Sequence, residues 1–226
     1  MPELHVMRVF VNEDGEWGNP LGVFLDGGAV PEADRRWIAA ELGFSETVYV
    51  DDADTGLIRI FTPGLELPFA GHPTVGTAWL LAQTGTDVDV LRTRAGEVGV
   101  RLEGQRVHVS ARPEWSPELD YLELRTPADV RALDGPPSGS EAAYVWAWVD
   151  EAAGTIRARA FIEEAGIAED EATGSAAIVL ADRLGRAVTI HQGRGSVLIV
   201  HPLGDGRVEV GGGVRLDAVR DHPVSA

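Results

Sequence analysis

The stretch RIFTPGLELPFAGHPTVGTAWLLA, residues 59–82, predicts a strand that ends at Phe61, then a loop, then a helix over 75–82. The loop is rich in proline and glycine, yet it also contains three large apolar side chains, Leu65, Leu67 and Phe69. We therefore expect a loop that is packed and held in one shape, as loops that carry a site are. The backbone N–H groups of Gly71 and His72 would lie at the helix N-terminus, which favours an anionic oxygen.

A second stretch repeats this pattern. Residues 159–185 read RAFIEEAGIAEDEATGSAAIVLADRLG. Arg159 follows Arg59 by 159 − 59 = 100 positions, and Gly174 follows Gly71 by 174 − 71 = 103 positions. In both stretches a strand that closes on Arg-x-Phe leads through a loop to a helix that begins with small residues. The repeat indicates a duplicated domain, and two helix N-termini facing each other across a cleft would bind a small anion.

The composition is that of a globular protein, with 226 residues, 44% hydrophobic and 24% charged. Such a chain forms one or two domains with a sizeable core. A net charge of −17 opposes binding to nucleic acid or to an anionic membrane. No apolar run is long enough to span a bilayer and no secretory signal pattern is present, so we expect a cytoplasmic protein. The absence of cysteine and lysine excludes disulfides, thiolate nucleophiles and Schiff-base lysines.

Strands predominate along the chain, with one long helix central to each half. This order is typical of an α+β fold rather than of an alternating doubly wound sheet. We expect residues 1–112 to form an N-terminal half, allowing for a strand exchanged from the C-terminus, and residues 113–226 a shortened C-terminal half. The segment 222–226 is expected to be a frayed tail.

One further helix is predicted over 31–42, because Pro31 suits a first helical turn and Gly43 suits the residue after the last. Its helical periodicity predicts an apolar stripe that packs on the core, formed by Ala33, Trp37, Ile38 and Leu42.

Four residues could carry chemistry, and each also has an ordinary structural interpretation. Glu46 lies in GFSETVYV between a helix and a strand, where partial burial would raise its pKa and suit a general acid/base; the alternative is a solvated strand end. His72 could donate a proton or orient a carboxylate, or it could bond its own backbone. Asp170 could act in the site or cap a helix. Ser175 could be a helix-start residue or a donor to a ligand, and it lacks the GxSxG context of a serine hydrolase.

Metal and dinucleotide sites find little support. The six histidines show no HxxxH or HExxH spacing. The segment Gly193–Gly195 leads into a predicted strand rather than a helix, so it fails the context that a dinucleotide-binding turn requires. The residues alone therefore favour neither a metal site nor a dinucleotide site.

Four motifs resemble the PhzF-like proteins of phenazine biosynthesis, and the resemblance spans residues 7–216. They are NPLGVFLD (19–26), GFSETVYV (43–50), RIFTPGLELPFAGHPTVGTA (59–78) and EDEATGSA (169–176). The resemblance implies the diaminopimelate-epimerase-like fold, in which two similar halves each form a curled, mostly antiparallel sheet or open barrel around a central helix, with the active-site cleft between them. It also implies an isomerase that shifts a proton within a dihydro-hydroxyanthranilate-like acid without a cofactor. The two-thiol mechanism of related epimerases is excluded because the chain has no cysteine.

The same resemblance implies residue roles. The catalytic residues would be Glu46 as the acid/base, with His72, Asp170 and Ser175. The substrate-binding residues would be Asn19, Gly71, Pro73, Thr173 and Gly174. The implied partners are a small-molecule carboxylate and a second copy in a homodimer.

Two departures from the family pattern bear on function. Glu171 stands where the family usually has proline, and the region between Pro113 and Arg159 is short. The shortening leaves a second hypothesis open, a non-catalytic protein that binds or senses a small acid. A lyase or hydrolase that uses Glu46 on another carbonyl compound is a third.

Overall fold

The computed structural model describes residues 1–162 and 167–223 and joins their strands into one continuous sheet. The strands are β1 (Glu3–Val11), β2 (Asn19–Phe24), β3 (Thr47–Asp52), β4 (Leu57–Phe61), β5 (Glu66–Leu67), β6 (Val90–Arg92), β7 (Glu97–Glu103), β8 (Arg106–Ala111), β9 (Asp120–Glu123), β10 (Ala142–Asp150), β11 (Thr155–Ile162), β12 (Ile167–Asp170), β13 (Val188–Gln192), β14 (Ser196–Pro202) and β15 (Val208–Asp221). The α-helices are α1 (Glu32–Leu42), α2 (Gly71–Gln83), α3 (Pro127–Arg131) and α4 (Gly174–Leu184).

The two halves repeat one topology. In the N-terminal half, β2 and β3 are parallel, β3, β4 and β5 follow as antiparallel neighbours, and β4 is parallel to β6, which continues through β7 to β8. In the C-terminal half the same relations join β9, β10, β11 and β12, and then β13, β14 and β15. A buried central helix, α2 or α4, follows the equivalent hairpin in each half. The predicted α+β fold of two similar halves is therefore confirmed.

Strand β15 joins the halves. Its residues 208–213 pair with β8, and its residues 213–221 pair with β1, so the sheet of the N-terminal half closes on itself. In the C-terminal half, β9 pairs only with β10 within the described residues, and that half stays open on the β9 side.

The Arg-x-Phe repeat seen in the sequence is also a repeat of contacts. The Arg59 guanidinium lies 5.4 Å from the ring two residues later and donates to Glu66 on β5 at 2.7 Å. The Arg159 guanidinium lies 4.8 Å from the ring two residues later and donates to Glu169 on β12 at 2.8 and 2.7 Å. Each arginine thus pairs with a glutamate on the short strand that leads into its central helix.

The apolar stripe predicted for α1 is wrong in part. Ala33 is exposed and the Trp37 side chain is 55% exposed, whereas Arg35 and Ile38 are buried. The helix is rotated because Arg35 faces inward and donates to the Asp51 carboxylate at 2.6 Å. A partly buried ion pair of this kind cannot be predicted from helical periodicity.

The central loop and helix also differ from the prediction. Helix α2 begins at Gly71 rather than at residue 75, because Pro73 lies in the first turn, where a missing N–H costs nothing. Phe69 is buried as expected, but Leu65 is 53% exposed.

The C-terminal region is more ordered than the sequence indicated. Strand β15 extends as far as Asp221 because its residues 213–221 pair with β1. His222 is buried and its N–H donates to the Pro2 carbonyl at 3.0 Å, so the expected frayed tail is wrong there. Residues 224–226 of that tail lie outside the described residues. Among the described residues, no helix is long and apolar enough to cross a membrane.

Candidate active site

The N-termini of the two central helices meet. A Cβ built on Gly71 would lie 2.8 Å from the backbone of Gly174, and one built on Gly174 would lie 3.0 Å from Gly71. Among the described residues, neither N-cap residue, Ala70 or Thr173, accepts a capping hydrogen bond through its side chain. The first-turn N–H groups of both helices therefore lie close together at the contact between Gly71 and Gly174, which we call the helix junction. Their partial positive charge favours an anion there.

Glu46 lies beside the helix junction, directly before β3. Its side chain is 15% exposed, and its Oε2 lies 3.5 Å from His72 Nε2. In the described part of the chain neither of these two atoms has a hydrogen-bond partner. Burial raises the pKa of Glu46 to about 7. This is the environment expected for a general acid/base rather than for a solvated strand end.

His72, the second residue of α2, is a neutral partner for Glu46. It is buried, and burial lowers its pKa to about 4, although the Asp170 carboxylate acts in the opposite direction. Its Nδ1 lies 3.4 Å from Asn19 Nδ2. At neutral pH the ring therefore has one N–H to donate and one nitrogen to accept.

Asp170, at the end of β12, lies beside the helix junction on the side of the C-terminal half. Its Oδ1 accepts from Asn19 Nδ2 at 2.7 Å, and its Oδ2 accepts from the Thr173 hydroxyl at 2.6 Å. Burial raises the pKa of Asp170, and the negative charge of Glu46 raises it further. The Asn19 amide, which also donates to the Ala172 carbonyl at 3.0 Å, thus bridges the two halves.

A buried glutamine holds the Asp170 loop. Gln192 Nε2 donates to the Asp170 carbonyl at 3.0 Å and to the Thr173 hydroxyl at 2.8 Å. Its Oε1 accepts from Thr173 N at 3.1 Å and from the Tyr144 hydroxyl at 3.0 Å. Because the amide nitrogen only donates, the Thr173 hydroxyl must direct its hydrogen to Asp170. No local pattern marks Gln192 or Tyr144 in the sequence, so sequence reasoning missed both.

The structure brings most of the expected site residues together. Direct side-chain contacts join Asn19, Glu46, His72, Asp170 and Thr173. Backbone contact joins Gly71 and Gly174, while Pro73 and Ser175 lie buried in the first turns of the same helices. Ser175 contributes its carbonyl to a bond from the Ser116 hydroxyl at 3.1 Å.

Other candidate sites are weaker. Within residues 1–162 and 167–223, no group of three or more histidine, aspartate or glutamate side chains could hold a metal ion. Two surface cavities of about 910 and 780 Å³ are lined by residues other than Glu46 and Asp170, the first beside β9 and the second beside the β7–β8 turn.

Comparison with known proteins found matches in both sequence and fold. A family profile described as phenazine biosynthesis-like protein, PhzC-PhzF, matches residues 8–129. The trans-2,3-dihydro-3-hydroxyanthranilate isomerase of Pseudomonas fluorescens is 33% identical over 225 residues, which cover 78% of this chain and 78% of that protein.

Solved structures extend the likeness of fold to almost the whole chain. A PhzC/PhzF phenazine biosynthesis protein from Clostridium difficile superposes with a TM-score of 0.79 at 20% identity, covering 99% of this chain and 100% of that chain. A proline racemase from Agrobacterium radiobacter superposes with a TM-score of 0.63 at 12% identity, covering 100% and 94% of the two chains. The two-halved fold is thus shared with racemases as well.

Proposed function

We propose, from the premise that the chain belongs to the phenazine biosynthesis-like (PhzC-PhzF) family and is an isomerase, that it shifts a proton within a small carboxylated metabolite without a cofactor. The proposed substrate class is a cyclic, dihydro-hydroxyanthranilate-like acid, as acted on by the Pseudomonas fluorescens relative. One observation carries the proposal: the Glu46 carboxyl lies 3.5 Å from the buried His72 ring, where two helix N-termini meet. The Asn19 amide links that ring to Asp170.

Glu46 is the proton carrier in this proposal. With a pKa of about 7, its acid and base forms are both populated near neutral pH, so it can remove a proton and return it. The carboxylate would take hydrogen from one substrate carbon, and the electrons of that C–H bond would enter the conjugated system. The carboxylic acid would then return the same proton to a second carbon, so the composition of the substrate is unchanged.

Asp170 stays ionised in this scheme. Both of its oxygens already accept hydrogen bonds, from Asn19 and Thr173, and such bonds favour the charged form. Glu46 Oε2 has no donor among the described residues. Burial and their mutual repulsion disfavour a negative charge on both Glu46 and Asp170 at once. In this proposal the shared proton is therefore carried by Glu46.

The helix N-termini bind the substrate carboxylate in this proposal. The N–H groups of Gly71 and His72 from one half and of Gly174 and Ser175 from the other are first-turn donors. A carboxylate held there would be positioned by both halves, and its charge would be offset by both helix ends.

Solvent isotope incorporation tests the proposal. The protein is incubated with trans-2,3-dihydro-3-hydroxyanthranilate in deuterium oxide, and the product is examined by NMR and mass spectrometry. We expect turnover. Solvent deuterium should appear in the product at the carbon that gains the proton, whenever the proton held by Glu46 exchanges with solvent before it is returned to the substrate. A protein that only binds the acid would leave it unchanged and unlabelled, and that result would overturn the proposal.

A further inference from the structure

A second series of hydrogen bonds joins the two halves next to Asn19 and Asp170. The Gly18 N–H donates to the Ser196 hydroxyl oxygen at 3.0 Å, and that hydroxyl donates to Glu171 Oε1 at 2.9 Å. Gly18 directly precedes Asn19, and Glu171 directly follows Asp170. The chain neighbours of the bridging amide and of the buried carboxylate are therefore connected through one serine and one glutamate.

Glu171 also holds the turn between β13 and β14. Its Oε1 accepts from Arg194 N at 3.0 Å, its Oε2 lies 3.3 Å from Arg194 Nε, and its side chain is 15% exposed. A Cβ built on Gly193 would lie 2.7 Å from the Glu171 carboxyl carbon, so the turn packs closely on this side chain.

Trp17 completes the contacts from the N-terminal half. The Arg194 guanidinium lies 4.9 Å from the Trp17 ring centre, and a Cβ built on Gly195 would lie 2.4 Å from the indole. The backbone of Trp17 has φ +64°, a left-handed conformation that is unfavourable for a bulky residue. Such a conformation persists where the surrounding structure imposes it, and it is a feature of functional sites.

We propose that Glu171 is a positioning residue of the isomerase. Its carboxylate accepts a hydrogen bond from the Ser196 hydroxyl, and that hydroxyl in turn accepts from the Gly18 N–H. Glu171 thus acts through Ser196 to hold the loop that ends at Asn19 against the loop that carries Asp170. The Asn19 amide thereby stays in contact with both Asp170 and His72. We call the set Trp17, Gly18, Glu171, Arg194 and Ser196 the clasp. The proline that the family usually has in place of Glu171 could not accept these hydrogen bonds. The role in catalysis rests on the proposed function, but the role in positioning does not.

The test compares Glu171→Ala with Glu169→Ala. Glu169 is the matched control, because it pairs with Arg159 inside the C-terminal half and makes no bond across the halves in the described residues. The first measurement is the pKa of Glu46 in the protein without substrate, determined by an NMR titration of isotope-labelled carboxyl carbons. We expect Glu171→Ala to lower that pKa from about 7 toward the ordinary value, because an opened clasp admits water, while Glu169→Ala leaves it in place.

The second measurement is turnover of trans-2,3-dihydro-3-hydroxyanthranilate. We expect Glu171→Ala to lower kcat roughly tenfold with a smaller change in KM, since misplaced groups slow the chemical step. Glu171→Gln keeps one acceptor oxygen and should recover part of the loss; it also serves if Glu171→Ala does not fold. Equal Glu46 pKa values in the Glu171 and Glu169 variants would overturn the clasp. Absence of turnover in the unmodified protein would instead count against the proposed function, and the pKa comparison would still decide the clasp.

Discussion

The two halves share their strand pairings but differ in the side chains at equivalent positions of the site. Aligning the β3–β4 pairing with the β10–β11 pairing places Ala142 at the position of Glu46. Aligning β4–β5 with β11–β12 places Leu67 at the position of Asp170, 170 − 67 = 103 positions later. Neither half therefore contains both carboxyls. The repeat therefore builds the frame and the proposed anion site, whereas the proposed proton chemistry depends on the departures from the repeat.

The helix ends show the same division. The 103-residue offset that relates Gly71 to Gly174 also relates His72 to Ser175. Glycine is retained in both halves because the two backbones touch there, and a side chain would separate them. The next residue is free to differ, and only the N-terminal half places a titratable ring beside Glu46.

The largest expected effect tests the difference between Glu46 and Ala142, the residue at the equivalent position of the other half. Glu46→Gln should lower kcat/KM for trans-2,3-dihydro-3-hydroxyanthranilate by roughly 100-fold or more, because a general base is lost. The matched control is Glu141→Gln, an exposed glutamate directly before Ala142. Steady-state kinetics on both variants decides the matter, and comparable losses in the two would break the comparison.

The support of the Asp170 loop gives the next effect. Gln192→Leu leaves the Thr173 N–H and the Tyr144 hydroxyl buried without their acceptor. We expect the free energy of unfolding to fall by about 3 kcal/mol. Urea denaturation measures it, with Gln105→Leu in the exposed β7–β8 turn as the control. A loss for Gln192→Leu no greater than that of the control would show that this network does not stabilise the C-terminal half.

The contact between helix ends should respond symmetrically. Gly71→Ala and Gly174→Ala each force backbone atoms apart, and each should lower the free energy of unfolding by about 2 kcal/mol. Gly135→Ala, where no atom of the described residues lies within 4 Å of the added carbon, should change it little. Thermal unfolding of the three variants would sharpen the comparison. A large difference between the first two would show that the halves do not share this contact equally.

The smallest effect, about 1 kcal/mol, is the pH-dependent difference in stability between Glu46→Gln and the unmodified protein. Because burial raises the Glu46 pKa from 4.5 to about 7, the native state binds a proton more tightly than the unfolded state does. Stability should therefore fall as pH rises from about 4.5 to about 7, by at most about 3 kcal/mol. Glu46→Gln removes this loss but buries an amide, so we expect it to be more stable than the unmodified protein by about 1 kcal/mol at pH 8 and not at pH 4. Denaturant midpoints at the two pH values measure it, and a pH-independent difference would contradict the raised pKa.

The sequence predicted much of this structure, and its failures have physical causes. The repeat and the glycine-bearing helix starts are local patterns, so the fold and the meeting of α2 with α4 could be anticipated. Gln192 and the clasp could not be, because their partners are distant in sequence and are set by strand register. The inward Arg35 of α1 was missed for the same reason, since its partner Asp51 lies on a neighbouring strand.

The pH dependence of kcat/KM for trans-2,3-dihydro-3-hydroxyanthranilate tests most directly whether one buried glutamate moves the proton. The account predicts a rate that rises with pH, bends near the Glu46 pKa of about 7 and is level above it. A profile that is flat across this range, or one that bends near the ordinary glutamate value of 4.5, would contradict it.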